Sequence, residues 1–397
     1  MLNTYKTLLR NRNTRFIITA SFVNSFGSGL FNAVVVLFGI SRTDSAVSVT
    51  LGLTSGAIGA VLLTPLSAKA VRRYGARPLV VHLALLRALI CFLMVLLPGS
   101  VFSVLLALHV VLERFTYPGS QGVLNYVAEG EHRSATLSLR QLINTLGLAL
   151  GAWCAAATQL SAVTVSPLLL IVLNGVSFIL NAFMYRCITM PLQPMEVREL
   201  SRNKTKAPIG LIVVSLSLAI IMSGGAVVTY GLPLIALGNL ESLQEIVPLT
   251  IAIDVSIGAL IFAFVTPHIR SIQSAAWIFA CSAALCITGV IAFGSAVAAG
   301  KISPELAVGV TVVLSACIAL ASFSAYFLFS SPEDSTREPR YMAAFGLSGT
   351  MTRLVYPTFV AFVVSSHQNA VIMAACFMVL AAVIASLGMK QIVNASL

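Results

Sequence analysis

The chain has 397 residues, 58% of them apolar and 9% charged, with a mean hydropathy of +0.96. Soluble domains carry roughly a quarter of their residues as charges, so this composition excludes an ordinary soluble protein, and the lack of short alternating segments excludes an outer-membrane barrel. The formal net charge of +11 does not point to nucleic acid, because the basic residues are spread over alternate loops, where they report membrane orientation.

Apolar runs predict twelve membrane-spanning helices near 15–40, 46–68, 79–97, 101–126, 136–159, 167–189, 209–232, 246–266, 272–295, 305–330, 341–364 and 369–388. About twenty apolar residues rising 1.5 Å each cross a hydrocarbon core of about 30 Å. Lipid offers the backbone no hydrogen bonds, so each span must satisfy its own as a helix. The first run follows Lys6, Arg10 and Arg12 like a signal sequence, but it is too long and reads as a retained span.

Lys69, Arg72, Arg73 and Arg77 lie between the second and third spans. Arg186, Arg198, Arg202, Lys204 and Lys206 follow the sixth, while the opposite loops hold only Arg42 and Lys301. This bias puts both termini in the cytoplasm and the protein in the inner membrane. The polar stretch 191–208 reads as a cytoplasmic linker between an N-terminal six-helix bundle (1–190) and a C-terminal one (209–397). A weak echo between halves agrees: Glu131-His132-Arg133 precedes the fifth span, which holds Arg140, and Glu338-Pro339-Arg340 precedes the eleventh, which holds Arg353.

Polar residues recur at helical spacing within four spans. They are Ser21, Asn24, Ser28 and Asn32 in the first, and His109, Glu113, Tyr117 and Ser120 in the fourth. The seventh has Ser223 and Tyr230, and the tenth has Thr311, Ser315, Ser322 and Tyr326. Each set falls on one helix face. Such faces line either a wet pathway or a helix–helix contact held by hydrogen bonds. Four stripes in phase favour a pathway for a small molecule, with Asn24, Ser28, Asn32, His109, Tyr117, Tyr230, Ser322 and Tyr326 as binding candidates.

Five charges fall at mid-span: Arg87, Glu113, Arg114, Asp254 and Arg353. Each costs about 2.5–3.5 kcal/mol to insert, so partners or water must offset it. Burial and a neighbouring arginine act on a carboxyl in opposite senses, which lets protonation follow conformation. Glu113 is the leading proton carrier, with Arg114 or Arg87 as partner; the alternative is a permanent Glu113–Arg87 pair. Asp254 is the second candidate, or else a partner for Arg353 or Arg140. His109 titrates near neutrality when unperturbed and reads first as a polar lining residue. The seven cysteines form no CxxC or Cys/His cluster and read as small packing residues. No metal site, cofactor motif or catalytic triad is recognisable.

The loop Pro65–Pro78 resembles the signature loop of the major facilitator superfamily. Arg73, Tyr74, Gly75 and Arg77 match its pattern, while Ala68 replaces the usual glycine and Arg72 the usual aspartate. The family latches its cytoplasmic side with that aspartate, which this chain lacks. The counterpart Pro267-His268-Ile269-Arg270 is nearly erased. The segment from Arg133 to Gly151 is similar to the family's fifth helix, with Arg140, Asn144, Gly147 and Gly151 on one face, and Ala152 where antiporters usually carry proline.

The resemblance implies an all-α fold of twelve transmembrane helices in two bundles, working as a monomer by alternating access. It implies Lys69, Arg72, Arg73, Gly75 and Arg77 as a conformational loop, and Arg140 and Asn144 as further substrate contacts. The function implied is proton-driven export of a small organic or amphiphilic compound, such as a drug, antibiotic or siderophore-like molecule, with no cofactor and no catalysis. The alternatives are a proton-coupled importer of a sugar or organic anion or, from another class, a receptor or an intramembrane enzyme.

Overall fold

A computed structural model describes residues 7–128, 133–160, 166–190, 217–219, 221–222, 232, 246–264, 272–299 and 303–330. All regular structure among them is helical. The first compact unit, Met1–Asn203, contains α1 (Arg12–Thr43), α2 (Ala46–Tyr74), α3 (Ala76–Leu96), α4 (Phe102–Val127), α5 (Arg133–Leu160) and α6 (Pro167–Arg186). The second, Lys204–Leu397, contains α7 (Val247–Phe264), α8 (Ile272–Ala298) and α9 (Pro304–Ser330). The linker 191–208, the eleventh and twelfth expected spans and all but a few residues of the seventh lie outside the described residues.

Six of these helices (α1, α3, α4, α6, α8 and α9) are long and apolar enough to cross a bilayer. In α2 and α7 the apolar stretch is shorter, Val47–Leu63 and Val247–Ile261. The fifth expected span differs: α5 is 28 residues long, yet Arg140, Gln141, Asn144 and Thr145 make it amphipathic rather than uniformly apolar. Two of these residues, Arg140 and Asn144, bond to α1.

Local chemistry sets the boundaries. The Asn11 side chain caps α1, accepting from the N–H groups of Asn13 and Thr14 at 2.9 and 3.3 Å. Ser45 caps α2 by accepting from Ser48 N–H at 3.2 Å. The break between α2 and α3 falls at Gly75, whose φ of 83° and ψ of 152° belong to a region open essentially only to glycine. Gly75→Ala is therefore expected to cost about 1–3 kcal/mol, seen as a lower thermal-unfolding midpoint in detergent. In α4, Pro118 lies within the helix and has no N–H for the Arg114 carbonyl one turn back.

Within the first unit α1 packs on α5 and α6, α2 on α4, and α3 on α4 and α6. Glycines permit the two closest approaches. At α1–α5, a Cβ added to Gly29, Gly147 or Gly151 would run into the backbone of Leu148, Phe22 or Phe26. At α2–α4, Gly52 and Gly56 lie against the backbone of Ser103 and Ala107. Small residues four apart let helix axes come together where lipid gives no hydrophobic drive. Val47, Leu51, Ile58, Leu62 and Leu66 are exposed along α2, as expected of side chains that meet hydrocarbon rather than water.

One end of the unit is tied together by Ile17, Ile18, Val80, Val123, Leu124, Leu139, Tyr185 and Ile188. Polar clamps seal it. Asn13 and Thr189 exchange two bonds of 3.0 Å, and Arg77 donates to the Ile188 carbonyl at 2.7 Å. In the second unit α9 packs against both α7 and α8.

Candidate functional site: a buried arginine–histidine–glutamate cluster

The charged centre of the first unit is built by four helices. Arg87 on α3 is buried, with its Nη2 3.8 Å from a Glu113 oxygen on α4 and 3.3 Å from His109 Nε2 on the same helix. Glu113 and His109 are four residues apart, so one helix face presents both to Arg87. The guanidinium also lies over the Phe178 ring of α6, 4.0 Å from its centroid. His109 sits between Phe31 of α1, with ring centroids 4.7 Å apart and nearly parallel, and Phe178 at 5.7 Å. Its Nδ1 is 3.9 Å from the Cys91 sulfur, which the Asn174 amide approaches at 3.5 Å. Ser177 donates to the Asn174 carbonyl at 2.7 Å.

The energetics explain why this charge is tolerated. An arginine inside a span costs about 2.5–3.5 kcal/mol. A carboxylate, an imidazole acceptor and an aromatic face each return part of that, the ring about 0.5–2 kcal/mol. The two charges are unequally covered: the Arg87 side chain is 6% exposed and that of Glu113 39%. The cation is fixed inside the bundle, whereas its anion is partly exposed.

The other expected site residues separate into groups. Ser21 does not share the environment of Asn24, Ser28 and Asn32. It turns to α5, where its hydroxyl accepts from Arg140 Nε at 3.2 Å, and Ser25 donates to Asn144 beside it. Asn24 and Ser28 are half-buried and Asn32 is exposed. Arg140 and Asn144 thus take part in a helix–helix contact. Tyr117 is exposed and Arg114 half-buried on α4. The expected loop is helical up to Tyr74: Lys69, Arg72 and Arg73 are exposed on the last turns of α2, and Arg73 lies over the Tyr74 ring at 5.5 Å.

In the second unit Asp254 is half-buried on α7, the helix that packs against α9, where Ser315 is buried. Thr311 is buried one turn away and Ser322 half-buried on the same helix. Tyr230, Arg353 and the side chain of Tyr326 lie outside the described residues. Among the described residues no group of three His, Cys, Asp or Glu side chains is placed to hold a metal.

Sequence reasoning passed over α6. Asn174, Ser177 and Asn181 recur at spacings of three and four in an apolar run, and that signal marks an inward face. Asn181 donates to the Ala20 carbonyl at 2.9 Å, and a side chain at Gly27 of α1 would meet Ser177 and Asn174. Cys91, read as a packing residue, touches both His109 and Asn174.

No protein-family model matches the chain, and no curated protein is similar to it. Solved structures are. A mutant form of the nucleoside transporter NupG superposes with a TM-score of 0.70 at 13% identity, covering 96% of this chain and 100% of its own. NupG itself gives 0.67 at 13% identity, covering 96% and 99%. An auto-inhibited peptide transporter of the POT family gives 0.62 at 14% identity, covering 96% of each chain. The chain therefore shares the helical fold of these solved membrane proteins.

Proposed function

We propose that the protein is a secondary active transporter of the major facilitator type. It moves a small organic molecule across the inner membrane by alternating access between two six-helix halves, as a monomer with both termini cytoplasmic. Protons drive it through Glu113. The observation that carries this reading is the unequal cover of the Arg87–Glu113 pair. A proton taken up by the half-exposed carboxylate cancels the anion that holds a buried cation, so protonation and the packing of α3 against α4 are linked. Asp254, half-buried on α7, is the second acid available for coupling.

The direction we assign is export of a small organic or amphiphilic compound. The likeness to transporters named for nucleosides and peptides supports a second reading, uptake of a polar solute. Membrane vesicles decide between them. Labelled nucleosides, dipeptides and amphiphilic antibiotics are offered to inverted and right-side-out vesicles under an imposed pH gradient. Accumulation of a probe by acid-loaded inverted vesicles, abolished by a protonophore, is the expected result. Accumulation only by right-side-out vesicles in acid medium would replace export with import.

A further inference from the structure

The contact between Arg87 and His109 fixes where the imidazole proton sits. A guanidinium has donors only, so the His109 Nε2 that lies 3.3 Å from Arg87 Nη2 must accept. The ring proton of a neutral imidazole is then on Nδ1, which points to the Cys91 sulfur at 3.9 Å. That sulfur faces a second donor, the Asn174 amide nitrogen, at 3.5 Å. A proton on Nε2 alone would set two donors against each other, and protons on both nitrogens would place two cations in contact between the rings of Phe31 and Phe178. The groups facing His109 are Phe31 from α1, Arg87 and Cys91 from α3, Glu113 one turn along α4, and Phe178 from α6.

We propose that His109 is a positioning residue: a neutral Nδ1–H imidazole that seats the Arg87 guanidinium and stays out of proton transfer. Its consequence for transport rests on the reading given above. When Glu113 is protonated, Arg87 loses its anion but keeps the imidazole nitrogen and the Phe178 face. The cation stays in register, ready to restore the pair when the carboxyl releases its proton.

The seating is tested without any transported molecule by ¹⁵N NMR of histidine-labelled protein in lipid bilayers, the His109 signal being assigned by its loss in His109→Gln. A neutral Nδ1–H pattern that persists across the pH range in which a free imidazole titrates is expected. A proton on Nε2, or titration along with the other histidines, would overturn the proposal. A flux assay supplies the functional arm. Glutamine can place its amide oxygen where Nε2 lies, whereas asparagine reaches only the Nδ1 position. Flux through His109→Gln should exceed that through His109→Asn by about tenfold, the scale of one hydrogen bond to a charged group, and the Asn variant alone should shift the pH profile. Equal flux and equal pH profiles in the two variants would remove the positioning role. If the wild type moves no probe in either vesicle orientation while NMR shows Nδ1–H, the transport reading falls and the seating of Arg87 stands.

Discussion

Glu113→Gln is expected to abolish uphill, pH-driven accumulation while leaving substrate exchange across the membrane intact. Glutamine keeps the shape of the side chain and can still accept from Arg87, but it takes up no proton. One proton crossing a gradient of one pH unit supplies about 1.4 kcal/mol, a tenfold concentration ratio, and that ratio should collapse to one in proteoliposomes containing the variant. Stability should change by less than about 1 kcal/mol, since the carboxylate is 39% exposed and solvent weakens the pair. Undiminished accumulation by Glu113→Gln would pass the coupling role to Asp254, and Asp254→Asn would then show the collapse.

The largest structural effect is expected at Gly151. Its Cβ would overlap the Phe26 carbonyl and press on the Leu30 amide, and backbone groups do not swing aside as a flexible side chain can. Gly151→Leu should therefore force α1 and α5 apart and break the Ser21–Arg140 and Ser25–Asn144 bonds along the same face. A cost above about 3 kcal/mol follows from overpacking plus stranded polar groups, visible as loss of a single folded species in size-exclusion chromatography and a lower unfolding midpoint. Gly258→Leu on α7 and Gly309→Leu on α9 are the controls, since a Cβ there meets nothing within 4 Å. If they destabilise as strongly as Gly151→Leu, the close-approach explanation is wrong.

How far these features could be read from sequence depends on which physical signal wrote them. Helix positions were legible because lipid enforces length and apolarity together; α3, α6, α8 and α9 fall within a few residues of the expected runs. Where the apolar run ended before the helix, the basic residues of α1 and α2 carry the helix on into the interface. That the fold is all-helical was legible from the apolar runs, and the unusual φ at Gly75 shows why that position calls for glycine.

Faces were legible too, but not what covers them. A period of 3.6 put Ser21 with Asn24, three residues on, yet Ser21 and Ser25 are buried against α5 while Asn24 and Ser28 are half-buried. His109 was expected at a wet lining, but the rings of Phe31 and Phe178 enclose it. Arg87 and Arg114 were both expected as partners for Glu113, and the contact with Arg87 depends on α3 lying beside α4. Pairing order between helices is a tertiary property, and spacing along one chain does not encode it.

The neighbours of α1 also bear on synthesis. Its serines find Arg140 and Asn144 only 119 residues later in the chain, and its Ala20 carbonyl meets Asn181 after 161. At roughly 5–20 residues per second, translation takes on the order of ten seconds to deliver those partners. Through that interval the first helix must wait at the insertion site, or in lipid, with its polar face uncommitted, so the nascent bundle closes around its oldest helix last.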